Sequence, residues 1–129
     1  MATKTWLGTT STAWATTSNW AEGSAPGAGD DVRIVATAVR GIAGSDQSAT
    51  AIGDFIVEAG FAYGLGDATT ALKIDPDRFE FEATGSTASY IDLHDAAITA
   101  TIKGTASAQT GKRGLYVIGS GLTTVSVEG

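Results

Sequence analysis

The chain has 129 residues, of which 43% are hydrophobic and 17% are charged, and its net charge is −6. This size fits one domain that buries roughly two thirds of the surface of the unfolded chain, and the composition excludes a disordered segment. The lack of cysteine excludes disulfides and thiolate sites, the scattered basic residues argue against nucleic-acid binding, and no apolar run approaches the roughly 18 residues of a membrane span.

The first part of the chain combines tryptophans with small residues that favour turns. All three tryptophans fall within the first twenty residues, at Trp6, Trp14 and Trp20. Side chains of this size can cover the end of a core while each indole N–H finds an acceptor. Pro26 and the glycines around it then turn the chain toward Val32. We therefore predict one domain over residues 1–129, with an N-terminal cap at 1–31 and coils at 32–129.

Apolar and polar residues alternate through the later part of the chain, with the period of two that is typical of strands. The alternating segments begin at Leu72, Phe79, Ile91, Ile98, Leu115 and Leu122. Turn signals such as GLGD, DPD, TGST and GSG separate them. No amphipathic helix of ordinary length is indicated, so the chain is predicted to be all-β. We interpret DPD, at 75–77, as a turn between the strands at 72 and 79.

The spacing of these segments indicates a repeat. The same two-strand unit occurs three times, each time with seven residues between its starts, and upstream Val32, Ile52 and Leu72 follow one another at equal intervals. A period of about 20 residues, with glycine-rich corners, favours a short parallel β-solenoid, or β-helix, whose coils stack at roughly 4.8 Å. The alternative is an antiparallel β-sandwich, of Greek-key or jelly-roll type, whose strands recur at intervals of about 8 to about 12 residues.

The solenoid prediction fixes which residues lie above one another. Three stacked pairs are expected: Leu72 with Ile91, Lys73 with Asp92, and Glu80 with Thr99. The longer offset further along the chain predicts that Ile91 stacks with Leu115 and that Ile98 stacks with Leu122. The sequence closes on VSVEG, directly after a strand, so the last coil is expected either to stay open, which invites edge-to-edge association, or to be covered by another polypeptide. Both alternatives imply an assembly.

The segments TWLGTTSTAWATTSNWAEGSAPGAGDDVRI and GLYVIGSGLTTVSVEG resemble the short β-solenoid decoration, or cement, proteins on the heads of tailed bacteriophages. The pattern W-x-x-x-x-N-W followed by P-G-x-G-D-D also occurs in bacterial adhesins and in polysaccharide-acting β-helices. The resemblance implies a non-enzymatic virion protein that is made in the host cytoplasm and sits on the outer capsid surface. Such proteins form oligomers, commonly trimers, and clamp neighbouring subunits of the major capsid protein.

Several residues are candidates for contact with a partner. The outward stripe of Glu80 and Glu82, with threonines at Thr99, Thr101 and Thr123, is either a solvated face or a docking surface. Both alternatives stay open at this point. The expected interface residues are Trp6, Trp14, Trp20, Glu80, Glu82, Tyr116 and Ile118. No cofactor, metal, nucleic acid or membrane partner is expected.

Two other functions have candidate residues. A carbohydrate-binding module, or an adhesin or tail-fibre fragment, would use aromatic platforms such as Trp14, Tyr63 or Tyr90. A glycan-acting enzyme would need clustered carboxylates for acid–base chemistry. Candidate clusters are Asp75, Asp77 and Arg78, and also Asp92, His94 and Asp95. A turn and an outward strand face explain these two clusters more simply, and one histidine is too few for a usual zinc site, so no enzyme is expected.

Overall fold

The structure is a computed structural model that describes residues 2–83, 87–93, 98–103, 115–118 and 122–128, with side chains described for 2–83, 87–93, 100 and 101. In these residues the chain forms strands, one short 3₁₀ turn at Thr17–Asn19, and no α-helix. The strands are β1 (Thr3–Trp6), β2 (Asp31–Ile34), β3 (Ser45–Val57), β4 (Leu72–Phe81), β5 (Ser89–Leu93), β6 (Ile98–Lys103), β7 (Leu115–Ile118) and β8 (Leu122–Glu128).

Every pairing between these described strands is parallel, and the chain winds as a β-solenoid of about four turns. The predicted all-β solenoid is therefore confirmed, and the antiparallel sandwich is excluded. Two stacks of strands run up the solenoid. The first ladder contains β1, β2, the second halves of β3 and β4, β6 and β8. The second ladder contains the first halves of β3 and β4, then β5 and β7.

Strand β4 crosses from the second ladder to the first without a turn. Alternate residues are buried as far as Pro76, then Asp77 and Arg78 both point outward, and the alternation resumes at Phe79. Two successive outward residues shift the phase of the strand, so both halves bury their apolar side chains in one core. The predicted turn at DPD is therefore wrong. Proline donates no ladder hydrogen bond, and it is tolerated at such a bend.

The predicted register holds where β4 meets β5. Leu72 pairs with Ile91, and Lys73 pairs with Asp92, as the spacing of the repeat indicates. Both apolar partners are fully buried, whereas Lys73 and Asp92 are half-buried on the outside. The stacking of like positions that defines the solenoid is thus correct in this coil.

The register differs from the prediction where β4 meets β6. Glu80 pairs with Thr101 rather than with Thr99. The cause is the length of the chain between the two ladders. Leu72 pairs with Ile91, and Phe79 pairs with Ala100. More residues separate Ile91 from Ala100 than separate Leu72 from Phe79, so the pairing of the second half of β4 is shifted.

The regular spacing of Val32, Ile52 and Leu72 does not mark equivalent positions. Val32 pairs with Phe55, and Phe55 pairs with Phe79, so each of these coils is longer than that spacing indicates. Coil length varies because extra residues lie in turns outside the ladders. One such turn lies between Leu65 and β4, where the backbone N–H and the carboxylate of Asp67 both bond to Thr70.

The last described coil matches the prediction at one of two positions. Ile98 pairs with Leu122, as expected. Leu115 pairs with Ser89 rather than with Ile91, because Ile91 pairs two residues further along, with Val117. Alternation of apolar residues therefore predicts the strands of this coil correctly, but the predicted pairing of β5 with β7 is wrong by two residues.

The core contains a column of stacked rings that begins in the N-terminal segment. Trp14 lies parallel to Phe55, with ring centroids 6.5 Å apart and an interplanar angle of 7°. Phe55 stacks on Phe79 at 5.8 Å, and Phe79 lies 6.4 Å from Phe81. We call these four rings the aromatic column. It connects the cap with the coils above it, because equivalent positions of successive coils lie over one another.

The N-terminal segment forms the lowest layer of the solenoid. Strand β1 pairs in parallel with β2, so the first ladder reaches back into residues that were assigned to the cap. The carbonyl of Leu7 accepts a hydrogen bond from the N–H of Val39, and the carbonyl of Thr12 accepts one from Ala43. The backbone of the cap therefore satisfies groups that the first coil would otherwise leave unpaired.

Candidate functional site

The three tryptophans pack together under the first coil. The rings of Trp6 and Trp20 meet edge to face at 5.1 Å, and those of Trp14 and Trp20 do so at 5.0 Å. The indole of Trp6 donates a hydrogen bond to the carbonyl of Arg40, and that of Trp20 donates to the carbonyl of Trp14. Two of the indole N–H groups thus have partners inside the chain, as the cap hypothesis requires.

The burial of the tryptophans corrects two expectations. Trp6, Trp14 and Trp20 are only 0%, 6% and 2% exposed. Side chains buried within their own chain have little surface to offer to a partner, so the structure assigns all three to the core of the cap and not to an interface. Trp14 is likewise unsuited to be a sugar platform, because one of its faces is covered by Phe55.

Asn19 organises the loop that carries Trp14, a role that the sequence alone does not predict. Its fully buried amide oxygen accepts hydrogen bonds from the N–H groups of Thr10 and Ser11. Its amide nitrogen donates to the hydroxyl of Ser11 and to the carbonyl of Ala13. The asparagine of the W-x-x-x-x-N-W pattern therefore acts as an internal brace of the cap.

The P-G-x-G-D-D pattern forms the entrance to the first coil. The carboxylate of Asp30 accepts hydrogen bonds from the N–H of Gly27 at 2.9 Å and from the N–H of Ala2 at 3.0 Å. The bond from Gly27, and then that from Ala2, lower the pKa of Asp30 below its usual 3.8. Asp30 thereby fastens the turn to the start of β1.

The outer side of the first ladder carries the densest set of ion pairs among the described residues. Arg33 on β2 contacts Glu58, which follows β3. Arg78 on β4 contacts Asp54 at 3.3 Å and Glu80 at 2.6 Å. These contacts join neighbouring coils as well as residues of one strand. We call the outward surface formed by these five residues the ion-paired face.

The ion pairs of this face order its side chains more than they stabilise the fold. The side chains of Arg33 and Arg78 are 51% and 54% exposed, whereas that of Glu80 is 17% exposed. Exposed pairs contribute only about 0–1 kcal/mol each, because water and salt screen them. The ion pairs have a larger effect on conformation, because they hold each long arginine side chain against carboxylates of the same face.

The predicted interface residues fall on two sides of the solenoid. Glu80 and the half-buried Glu82 lie together on the outside of the first ladder, and Thr101 lies beside Glu80. Tyr116 and Ile118 lie in β7, which belongs to the second ladder, and their side chains are outside the described residues. The same holds for the side chains of the outer threonines at 99 and 123. Of the predicted interface residues, only Glu80 therefore belongs to the ion-paired face, and Glu82 follows it two residues further along the chain.

Arg33, Asp54 and Glu58 are the members of this face that the sequence did not predict. Arg33 stands between two buried residues, Val32 and Ile34, so the alternation around it was visible. Asp54 follows the bend of β3, where the burial pattern shifts as it does in β4. Pairing the two strands requires the length of the coil that joins them, and the alternation alone does not reveal that length.

A small cavity opens on the ion-paired face. Its volume is about 140 Å³, and both arginines of the face are among its lining residues. Its lining includes Thr3, Asp31, Arg33, Asp54, Ile56 and Arg78. We call this cavity the notch.

The candidate enzymatic clusters are only partly described. Asp75 and Asp77 lie at the bend of β4, and Arg78 is already engaged by two carboxylates. His94 and Asp95 lie outside the described residues. Within the described residues there is no group of three or more histidines, cysteines, aspartates or glutamates placed to hold a metal ion.

The second ladder carries a charged row of its own. Lys73 pairs in register with Asp46 below it and Asp92 above it, and its ammonium lies 3.8 Å from the carboxylate of Asp46. Opposite charges at neighbouring positions of parallel strands favour this register. The row therefore has a structural explanation within the chain.

Tyr63 is the most exposed aromatic side chain among the described residues. It is 42% exposed and lies on the segment between β3 and β4. Its ring meets the fully buried ring of Phe61 edge to face at 6.1 Å. Tyr90, the other candidate platform, is half-buried.

The described residues thus define a class, a parallel β-solenoid with an aromatic N-terminal cap. Comparison of the chain with protein-family models, curated proteins and solved structures finds no match. In the part of the chain that the structure describes, no helix has the length and apolar character needed to cross a membrane.

Substitution of Asn19 tests whether its side-chain hydrogen bonds stabilise the cap. Replacement by alanine leaves the N–H groups of Thr10 and Ser11 without their acceptor, so we expect Asn19→Ala to lower the free energy of unfolding by about 3 kcal/mol. Asn19→Asp keeps the acceptor but loses both donated bonds, and at neutral pH it buries a charge, so it should also destabilise. Urea unfolding measures both. Thr17→Ala, at an exposed neighbouring position, is the control, with a change of at most about 0.5 kcal/mol. An Asn19→Ala chain as stable as its parent would contradict the bracing role.

The lowered pKa of Asp30 predicts how the stability of the protein depends on pH in acid. Because the folded-state pKa of Asp30 is lowered, its contribution is present above the usual value of 3.8 and is lost as the pH falls through the lowered pKa. We expect the free energy of unfolding to fall less steeply below about pH 4 in Asp30→Asn than in the parent. Urea unfolding at a series of pH values measures this slope. Asp77→Asn removes an exposed carboxylate elsewhere and is the control, and identical slopes for Asp30→Asn and the parent would disprove the assignment.

Proposed function

We propose that this chain is a non-enzymatic structural protein that decorates the outer surface of a phage head and holds subunits of the major capsid protein together. The sequence resemblance to phage decoration proteins supports this proposal. The observation that carries it is the ion-paired face, a broad outer surface whose charged side chains are held in place by contacts between coils.

A preordered face suits docking onto a repeating protein surface. Side chains that are already held lose less conformational freedom on binding, so less of the contact energy is spent on ordering them. Charged groups of both signs favour a partner with complementary charges and fix the register of docking. The half-buried Ile56 supplies an apolar centre among these charges, which is the usual arrangement of a protein interface.

The size of the outer side of the first ladder, of which the ion-paired face is a part, argues for several copies acting together. The six strands of this ladder, spaced by about 4.8 Å, span roughly 24 Å, and four to five residues along each strand span roughly 15 Å. The resulting area of roughly 400 Å² is about half of what one partner contributes to a standard interface. We therefore propose that the protein acts as an oligomer, a homotrimer by resemblance, whose linked copies bind with avidity.

Charge reversal on the face tests this function. Capsid shells of the encoding phage, assembled without the decoration protein, should bind the purified chain in a saturable way. We expect Glu80→Lys combined with Glu82→Lys to abolish binding, because Arg78 loses a partner and the acidic stripe becomes basic. Asp67→Lys, on the turn between Leu65 and β4, is the matched control and should bind normally. Cosedimentation with shells measures occupancy, and unchanged occupancy of the double variant would count against the proposal.

A second candidate function rests on Tyr63. An exposed ring held by a buried neighbour is a suitable platform for stacking against a sugar, so a carbohydrate-binding module or adhesin fragment is the alternative. If it is correct, the chain binds polysaccharides of the host surface, and Tyr63→Ala weakens that binding at least about tenfold. Val39→Ala, at another exposed apolar side chain, should have no effect. Glycan binding by a monomer that ignores capsid shells would favour this alternative, and a shell-binding trimer without glycan affinity would exclude it.

A further inference from the structure

The notch on the ion-paired face has an excess of negative charge. Both arginines at its rim are already engaged, Arg33 by Glu58 and Arg78 by Asp54 and Glu80. Their positive charge is therefore balanced within the face. Any further carboxylate in the notch adds a negative charge that these arginines do not neutralise.

Asp31 supplies that carboxylate. Its Oδ1 atom accepts a hydrogen bond from the N–H of Asp54 at 2.8 Å, and it forms no ion pair with any described residue. Gly53 creates the space for it, because a Cβ atom on Gly53 would collide with Oδ1. The side chain is thus fixed by the backbone of the next coil, and the notch keeps a negative charge at a defined position.

The remaining surface of the notch is suited to a hydrocarbon chain. Ile56 lies between Arg33 and Glu80 in the stacked row and offers an aliphatic side chain. The volume of about 140 Å³ is several times the about 15 Å³ that, on the same measure, is enough for one water molecule. A lysine or arginine matches both features, since its methylene groups pack on apolar surface while its charged end stays polar.

We infer that the notch receives a lysine or arginine side chain of the protein surface on which the solenoid docks, with Asp31 as its counter-ion. The notch itself indicates a basic side chain, whereas the assignment of that side chain to the capsid protein rests on the proposed function. The negative carboxylate, the aliphatic side chain and the cavity volume select a basic side chain over an acidic or purely apolar one.

The notch can be tested with small probes on the intact protein. The probes are the N-acetyl, N-methylamide derivatives of lysine and arginine, with the norleucine derivative as an uncharged control. In ¹H–¹⁵N NMR spectra we expect the amide signal of Asp54 to shift saturably with the basic probes and not with norleucine. Equal shifts with norleucine would overturn the inference.

Two variants separate the role of charge from that of folding. Asp31→Asn keeps the Oδ1 acceptor for Asp54 but removes the charge, so we expect about tenfold weaker binding of the basic probes. Ile56→Lys places a lysine of the chain itself at the notch and should abolish probe binding while urea unfolding still shows a folded protein. Asp67→Asn, which removes a charge elsewhere, should bind the probes like the parent. Probe binding that survives both notch variants would refute the inference.

Shell binding distinguishes this inference from the function on which it rests. If basic probes bind through Asp31 but the parent chain does not bind shells, the notch is confirmed and the capsid proposal fails. If the parent binds shells, probes do not bind, and Asp31→Asn binds shells equally well, the capsid proposal stands and the notch inference is wrong.

Discussion

The stacking of Trp14 on Phe55, and of Phe55 on Phe79, is the contact on which the rest of the structure depends. A parallel solenoid has a weak point at each end, because its first coil exposes both apolar side chains and unpaired backbone groups. Here the same rings that fill the core continue into the N-terminal segment. The cap is therefore bound to the coils by the interaction that holds the coils to one another, and Asn19 only has to keep Trp14 in place beneath them.

The arrangement of charged residues on the outer surface follows from the stacking of the buried residues in the core. Because buried residues lie over one another, the residues between them also align, and charges that are far apart in sequence become neighbours. Two ion pairs arise in this way, Arg33 with Glu58 and Arg78 with Asp54. The notch has the same origin, since Asp31 reaches the backbone of the coil above through the space that Gly53 leaves. The ion-paired face is thus built by the same register that builds the core.

The sequence allowed prediction of the fold class, the parallel stacking and the cluster of tryptophans in the N-terminal cap, because alternation and large side chains leave clear local signals. It did not show that these tryptophans are too buried to form an interface. It did not allow prediction of all registers. The predicted partner of Glu80, Thr99, is two residues from the observed partner, Thr101, because alternation does not reveal the length of chain between the ladders. Pro76 predicts a turn because proline usually marks one, whereas the structure has a bend within the continuous strand β4. Of the candidate site, Glu80 and Glu82 were found from alternation, whereas Asp31 and Asp54 depend on contacts between coils.

The variable length of the coils has a consequence for how this chain tolerates change. Successive coils keep their pairing although they differ by several residues, because the additional residues are excluded from the ladders. The turn that begins at Asp67 is such an excluded segment, closed by its own hydrogen bonds and followed directly by β4. A foreign peptide grafted there would extend into solvent without altering the register, which makes the solenoid a natural display scaffold.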